Sequence, residues 1–178
     1  MPHPGPDRAE PGDDADERLA RAGALLAAGV VDAVPGWVGR CVAQVLDEWE
    51  AVGGRPAPET GGRASMLSRA EEDGRRAAGP LGAELRRLLS ADVDAQWTTP
   101  LALVRPLVAV PTAVLADAGV PPPERDRFTR ERFPADPYGL TPSSLAALDP
   151  ALREPALAWG VAKTVAHRAR HAPRPAAH

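Results

Sequence analysis

The sequence predicts an all-α protein, a single compact bundle of about six to seven helices. Three observations predict it. Apolar residues recur at three- and four-residue spacing, no run sustains β alternation, and capping side chains stand directly before proline at three places.

Taken in order, residues 1–15 are acidic and proline-rich and read as a disordered tail, since such a stretch buries nothing. Residues 16–171 read as one helical domain, and residues 172–178 as a flexible tail. A first helix is expected from Asp16 to Ala33, with Leu19, Leu25, Leu26 and Val30 on its apolar side. A second carries Val34, Val38, Cys41, Val42, Val45, Leu46, Trp49 and Val52 on one face and ends at Gly53-Gly54. Pro35 suits its first turn, where the missing N–H costs nothing.

The segment Gly53–Gly62 (GGRPAPETGG) reads as a flexible loop. Ser68 and Glu71 have capping-box spacing, which starts a helix there. It runs on through Leu81, Leu85, Leu88 and Leu89, with an interruption expected at Gly79-Pro80. Thr99-Pro100, Thr141-Pro142 and Asp149-Pro150 announce three further helices, each with a side-chain oxygen for an orphan N–H and a preset φ behind it. The helix after Pro100 should break where Pro106 and Pro111 remove backbone donors, and Gly119 is a left-handed stop. A short charged helix from Pro123 to Arg132 and a last one from Pro150 towards Arg170 complete the series.

The 178 residues include 35 Ala, 21 Pro and 16 Gly, while Leu, Val and Phe together make only about a fifth. Basic residues are 20 Arg and a single Lys, Lys163, and Ile and Asn are absent. This bias follows GC-rich codons, so Arg in place of Lys says little about phosphate binding. The core is expected to be thin and Ala-rich. A net charge of −3 lacks the high charge that accompanies disorder.

The lone Cys41 can form neither an internal disulfide nor a structural zinc site, as in a reducing compartment. The N-terminus has no basic start or apolar stretch and is not a secretory signal. Leu101–Ala116 is the most apolar segment, yet it is shorter than a span of about 20 residues and contains two prolines. A cytoplasmic protein away from membranes is therefore expected. Charge rises along the chain from an acidic first third to a basic last third, and the weakly acidic whole excludes strong nucleic-acid binding.

Little chemistry is visible. His167 and His171 lie four apart, as two ligands on one helix would, but no third ligand is evident and Arg168 and Arg170 repel a cation. Cys41 lies on an apolar face, where a thiol is a small hydrophobe. The paired glycines match no phosphate-binding loop. Trp37, Trp49, Trp97 and Trp159 are read as core. No catalytic residue, metal or cofactor is assigned.

The richest segment is Pro121–Pro142, PPPERDRFTRERFPADPYGLTP. It places Arg125, Arg127, Arg130 and Arg132 among acids and holds the only Tyr, Tyr138, and both Phe, Phe128 and Phe133. A solvated helix pinned to the core by Phe128 and Phe133 is the plainer reading. Arg and aromatic residues on a long proline-braced loop are also the types enriched at interface hot spots. The candidate partner-binding set is thus Arg125, Arg127, Phe128, Arg130, Arg132, Asp136 and Tyr138.

From Val34 onwards the chain resembles conserved small helical proteins of high-GC actinobacteria with no assigned activity. The resemblance rests on VPGWV, ADVDAQWTTPLALVRPLV, GVPPPERDRF, RFPADPYGLTPSS and DPALREPALAWGVAKTVAHRAR. It implies an actinobacterial cytoplasmic protein and transfers no mechanism.

The expected function is a non-catalytic protein-interaction or regulatory module with a protein partner. One alternative is an enzyme or binder of a small anionic metabolite that gathers Arg, Asp136 and Tyr138. Another is a weak nucleic-acid accessory using Lys163, Arg168, Arg170 and Arg174 near the chain end. Whether the chain forms a homo-oligomer stays open, because an Ala-rich helix surface serves a core or a dimer seam equally well.

Overall fold

The computed structural model of the chain describes residues 11–55, 61–91 and 98–172, and every regular element among them is helical. The elements are α1 (Pro11–Ala51), α2 (Gly62–Ser90), α3 (Pro100–Val104), α4 (Ala109–Asp117), α5 (Arg127–Arg132), α6 (Leu145–Leu148) and α7 (Arg153–His171). Short 3₁₀ turns join α3 to α4 and lead into α7. The all-α expectation is met.

The central element is α1, 41 residues and about 60 Å long. It takes the place of the two helices expected, because Pro35 sits inside it and not at a helix start. An interior proline costs about 3 kcal/mol. Against that stands one unbroken apolar stripe: Leu26, Val30, Val34, Val38, Val42 and Leu46 are all completely buried. Splitting the helix at Pro35 would misalign its two halves. The helix also begins at Pro11, inside the segment expected to be a tail, and Ala15 is buried. Residues 1–10 lie outside the described residues, as do 56–60 of the expected loop, Trp97 and residues 173–178 of the expected C-terminal tail.

Helix α2 runs antiparallel to α1, and the seam between them is built from small residues. A Cβ on Gly74 would lie 2.9 Å from the Pro35 Cα, and one on Gly82 would lie 2.8 Å from Val31. Ala70 and Ala78 are buried along the same line. An Ala- and Gly-rich sequence thus makes a core by bringing backbones close. This helix begins at Gly62, six residues before the expected Ser68, which is exposed in its interior. Gly61, in the left-handed region at φ 73°, turns the chain into it. It also continues through Pro80 without interruption.

The segment after Thr99 behaves as its prolines dictate. Thr99 caps α3, accepting from the Ala102 N–H at 3.3 Å, and the helix gives way to a 3₁₀ turn containing Pro106. Gly119, at φ 70°, closes α4 as expected, with the N–H groups of Gly119 and Val120 bonding back to Ala116 and Leu115. Asp149 likewise caps the turn before α7 through the Ala151 N–H at 2.8 Å. Thr141-Pro142 starts no helix: the Thr141 N–H joins the turn closed by Asp136, and α6 begins later, at Leu145.

Helix α7 lies against α1, and its C-terminal half forms a second small core with Ala15, Leu19 and Ala166. Arg170 fixes the pair by bonding Asp16 at 3.0 Å. Two stretches, Asp14–Ala51 and Pro100–Asp117, are long and apolar enough to cross a membrane by length and composition, each with mean hydropathy 1.4. The second includes the segment expected to fall short of a span. In the fold it is interrupted at Pro106, and the first supplies the buried stripe described above.

Candidate functional site

The Pro121–Pro142 segment separates into an inner brace and an outer helix. The brace is held by backbone groups. Asp136, only 6% exposed, accepts the Leu140 N–H at 2.8 Å and the Thr141 N–H at 2.9 Å. Burial raises its carboxyl, but the N–H groups of Leu140, Thr141 and Gly139 and the Thr141 hydroxyl outweigh this and hold it below the usual carboxylate value. Arg125 donates to the Asp136 carbonyl at 2.8 Å. Its guanidinium lies against Gly139, whose φ of 78° and bare Cα permit the contact. Tyr138 is buried and donates to the Val120 carbonyl at 2.7 Å, and burial raises its phenol.

Three of the seven candidate residues therefore point inward. Arg125 and Asp136 close the connection on itself, and Tyr138 ties it to Val120, just past the end of α4. Their partners are main-chain atoms, which no pattern of side chains advertises. One clue exists, since Asp136-Pro137 is the kind of pair whose carboxylate bonds N–H groups further along.

The other four candidates, with Phe133, belong to α5. This helix is shorter than the Pro123–Arg132 expected, because Pro121–Asp126 lies outside any helix and Asp126, itself extended, caps the Thr129 N–H at 2.9 Å. The hydrogen bonds from Thr129 hold the exposed Asp126 carboxyl low. Phe128 is 67% exposed and Phe133 51%. The Arg132 guanidinium lies 5.7 Å from the Phe128 ring centre and 5.8 Å from that of Phe133, within cation–π range of both. Arg127 pairs with Glu131 at 2.6 Å, whereas Arg130 and Arg132 have no carboxylate partner among the described residues. Phe128 and Phe133, expected to pin the connection, are exposed, and Tyr138 pins it in their place.

Beside the brace lies a cleft of about 610 Å³ to which Arg105, Arg125, Thr129 and Ser143 contribute. A smaller one, about 340 Å³, holds Arg40, Cys41, Gln44 and Glu48. Burial pushes the Cys41 thiol up to about 12, Arg40 lowers it and Asp136 raises it. That thiol stays protonated near neutral pH and is a poor nucleophile. His167 and His171 contact each other with ring centres 4.5 Å apart, and no cluster of three metal-ligating side chains occurs among the described residues.

The fold and this surface define an all-helical protein with an exposed arginine–aromatic helix braced from within. Compared with protein-family models, curated proteins and solved structures, the chain matches none.

Proposed function

We propose that the chain is a non-catalytic, cytoplasmic protein-interaction module whose contact face is α5. The observation that carries this is the position of the only two Phe, both outside the core in a chain poor in large apolar side chains. Burying one such ring in a partner is worth about 2 kcal/mol. Aromatic and Arg residues are also the types that concentrate binding energy at interface centres. Arg130 and Arg132 lack carboxylate partners of their own, so the partner class is a protein surface with an apolar slot edged by carboxylates. The brace supports the reading mechanically, because a short helix with pinned flanks loses little entropy on docking.

Of the groups invoked for an anionic metabolite, Arg125, Asp136 and Tyr138 are committed to the chain's own carbonyls and N–H groups, which leaves that reading only the arginines of α5. The basic residues near the end of α7 are likewise engaged in part, since Lys163 sits 5.3 Å from the Trp159 ring and Arg170 pairs with Asp16.

The test is affinity capture from nuclease-treated host lysate with the native chain, Phe128→Ser/Phe133→Ser and Arg130→Glu in parallel. A stoichiometric protein held by the native chain and lost from both variants, with unchanged thermal melts, is the expected result. A partner indifferent to these changes, or no partner with a metabolite-dependent rise in Tm instead, overturns the proposal. Arg125 is the wrong residue to change, because it braces the fold.

A further inference from the structure

The side of α7 turned away from the core carries a pattern that the rest of the molecule leaves unused. Trp159 and Ala166 face inward. At 100° per residue, the opposite side of the helix is centred on Val161, with Leu157 and Val165 about 40° to either side. These three are 56%, 69% and 42% exposed respectively. Beyond them, close to the same line, stand Glu154 and Arg168, both exposed and neither in an ion pair among the described residues. The stripe Glu154–Leu157–Val161–Val165–Arg168 has spacings of three, four, four and three, so it is symmetric in position and opposite in charge at its ends.

Glu154, Leu157, Val161 and Val165 also form the edge of a groove of about 480 Å³ between α7 and α1, completed by Ala158 and Ala162 and, from α1, by Ala15, Arg18 and Ala22. Leu25, expected in the core, lies 64% exposed in an adjoining groove of about 440 Å³ that shares Arg18, Ala22, Glu154 and Ala158 with the first.

We infer that a second copy of this chain covers this face, α7 against α7, antiparallel about a twofold axis at Val161. In that arrangement the two Val161 meet at the axis and Leu157 meets the partner's Val165. Glu154 then meets the partner's Arg168, twice over by symmetry. A parallel pairing would set Glu154 on the partner's Glu154 and Arg168 on the partner's Arg168, so the charges select the antiparallel one. The interface is independent of the α5 face and stands or falls without it.

Sedimentation equilibrium on the full chain tests this. The native chain should dimerise reversibly, and Val161→Arg, which sets two like charges together at the axis, should weaken the dimer about a hundredfold. Glu154→Arg alone and Arg168→Glu alone should each weaken it several-fold, and the double exchange should restore it. All three positions are exposed, so thermal melts at concentrations where the native chain is monomeric should stay unchanged. Val161→Cys should cross-link to itself under mild oxidation, because the axis brings the two thiols together, while Cys41 is buried. A monomer at every concentration, a monomer carrying a bound apolar molecule, a dimer that ignores Val161→Arg, or a double exchange that fails to rescue overturns the inference.

Discussion

The inner and outer parts of the Pro121–Pro142 connection are written in the same few residue types and behave oppositely. Arg125 is spent on a carbonyl of the same connection, and Arg130 and Arg132 stand in solvent. Tyr138 is buried with its hydroxyl satisfied, and Phe128 and Phe133 are not buried at all. The difference comes from what the backbone offers. Where the chain turns at Gly139, N–H groups and carbonyls converge and recruit a carboxylate and a guanidinium. Where the chain is helical it satisfies itself, and its side chains are left for another molecule. Substitutions in the two parts should therefore separate stability from binding.

The largest loss is expected from Asp136→Ala. It leaves the N–H groups of Leu140 and Thr141 without their acceptor in a part-buried site and should cost about 3 kcal/mol in urea denaturation. The same carboxylate predicts a pH dependence. Its folded pKa is depressed, so its contribution is fully present above the unfolded value of about 3.9 and is lost as pH falls through the folded value. The native chain should lose stability on acidification in that window more steeply than Asp136→Asn. Equal slopes would mean that the carboxylate does not brace the turn.

Gly139→Ala should come next, at about 2 kcal/mol, because it adds left-handed strain and pushes Arg125 off the Asp136 carbonyl. Gly53→Ala isolates the strain. Gly53 has φ 88°, and a Cβ there meets nothing within 4 Å, so it should cost about 1 kcal/mol. If the two cost the same, the Arg125 contact carries no weight. Tyr138→Phe follows at about 1 kcal/mol, the net value of its hydroxyl's bond to Val120.

Some of this was legible in the sequence and some was not, for reasons that are local. The faces of α1 and α2, apart from the exposed Leu25 and Val52, the caps at Thr99 and Asp149 and the stop at Gly119 follow from side chains acting on their nearest neighbours, and the structure keeps them. Pro35 and Pro80 mislead because a proline's cost is local, whereas the packing that offsets it comes from another helix. Thr141-Pro142 misleads because Thr141 is taken into the turn that Asp136 closes, five residues back, and the next helix starts only at Leu145. At the candidate site the sequence singles out the right segment, but the partners of Arg125, Asp136 and Tyr138 are backbone atoms. Only the folded path of the chain could divide brace from face.

The smallest effect on stability should come from the largest loss of carbon. Phe128→Ser/Phe133→Ser removes two aromatic rings, yet both are more than half exposed and lie near Arg132, which is itself in solvent. Surface changes of this kind stay within about 0.5 kcal/mol. The double variant should therefore melt with the native chain, while Tyr138→Phe, a change of one oxygen, melts lower. Differential scanning calorimetry of the three proteins side by side decides it. A double variant that loses more than Tyr138→Phe would place the rings in the brace and deprive α5 of its role as a face.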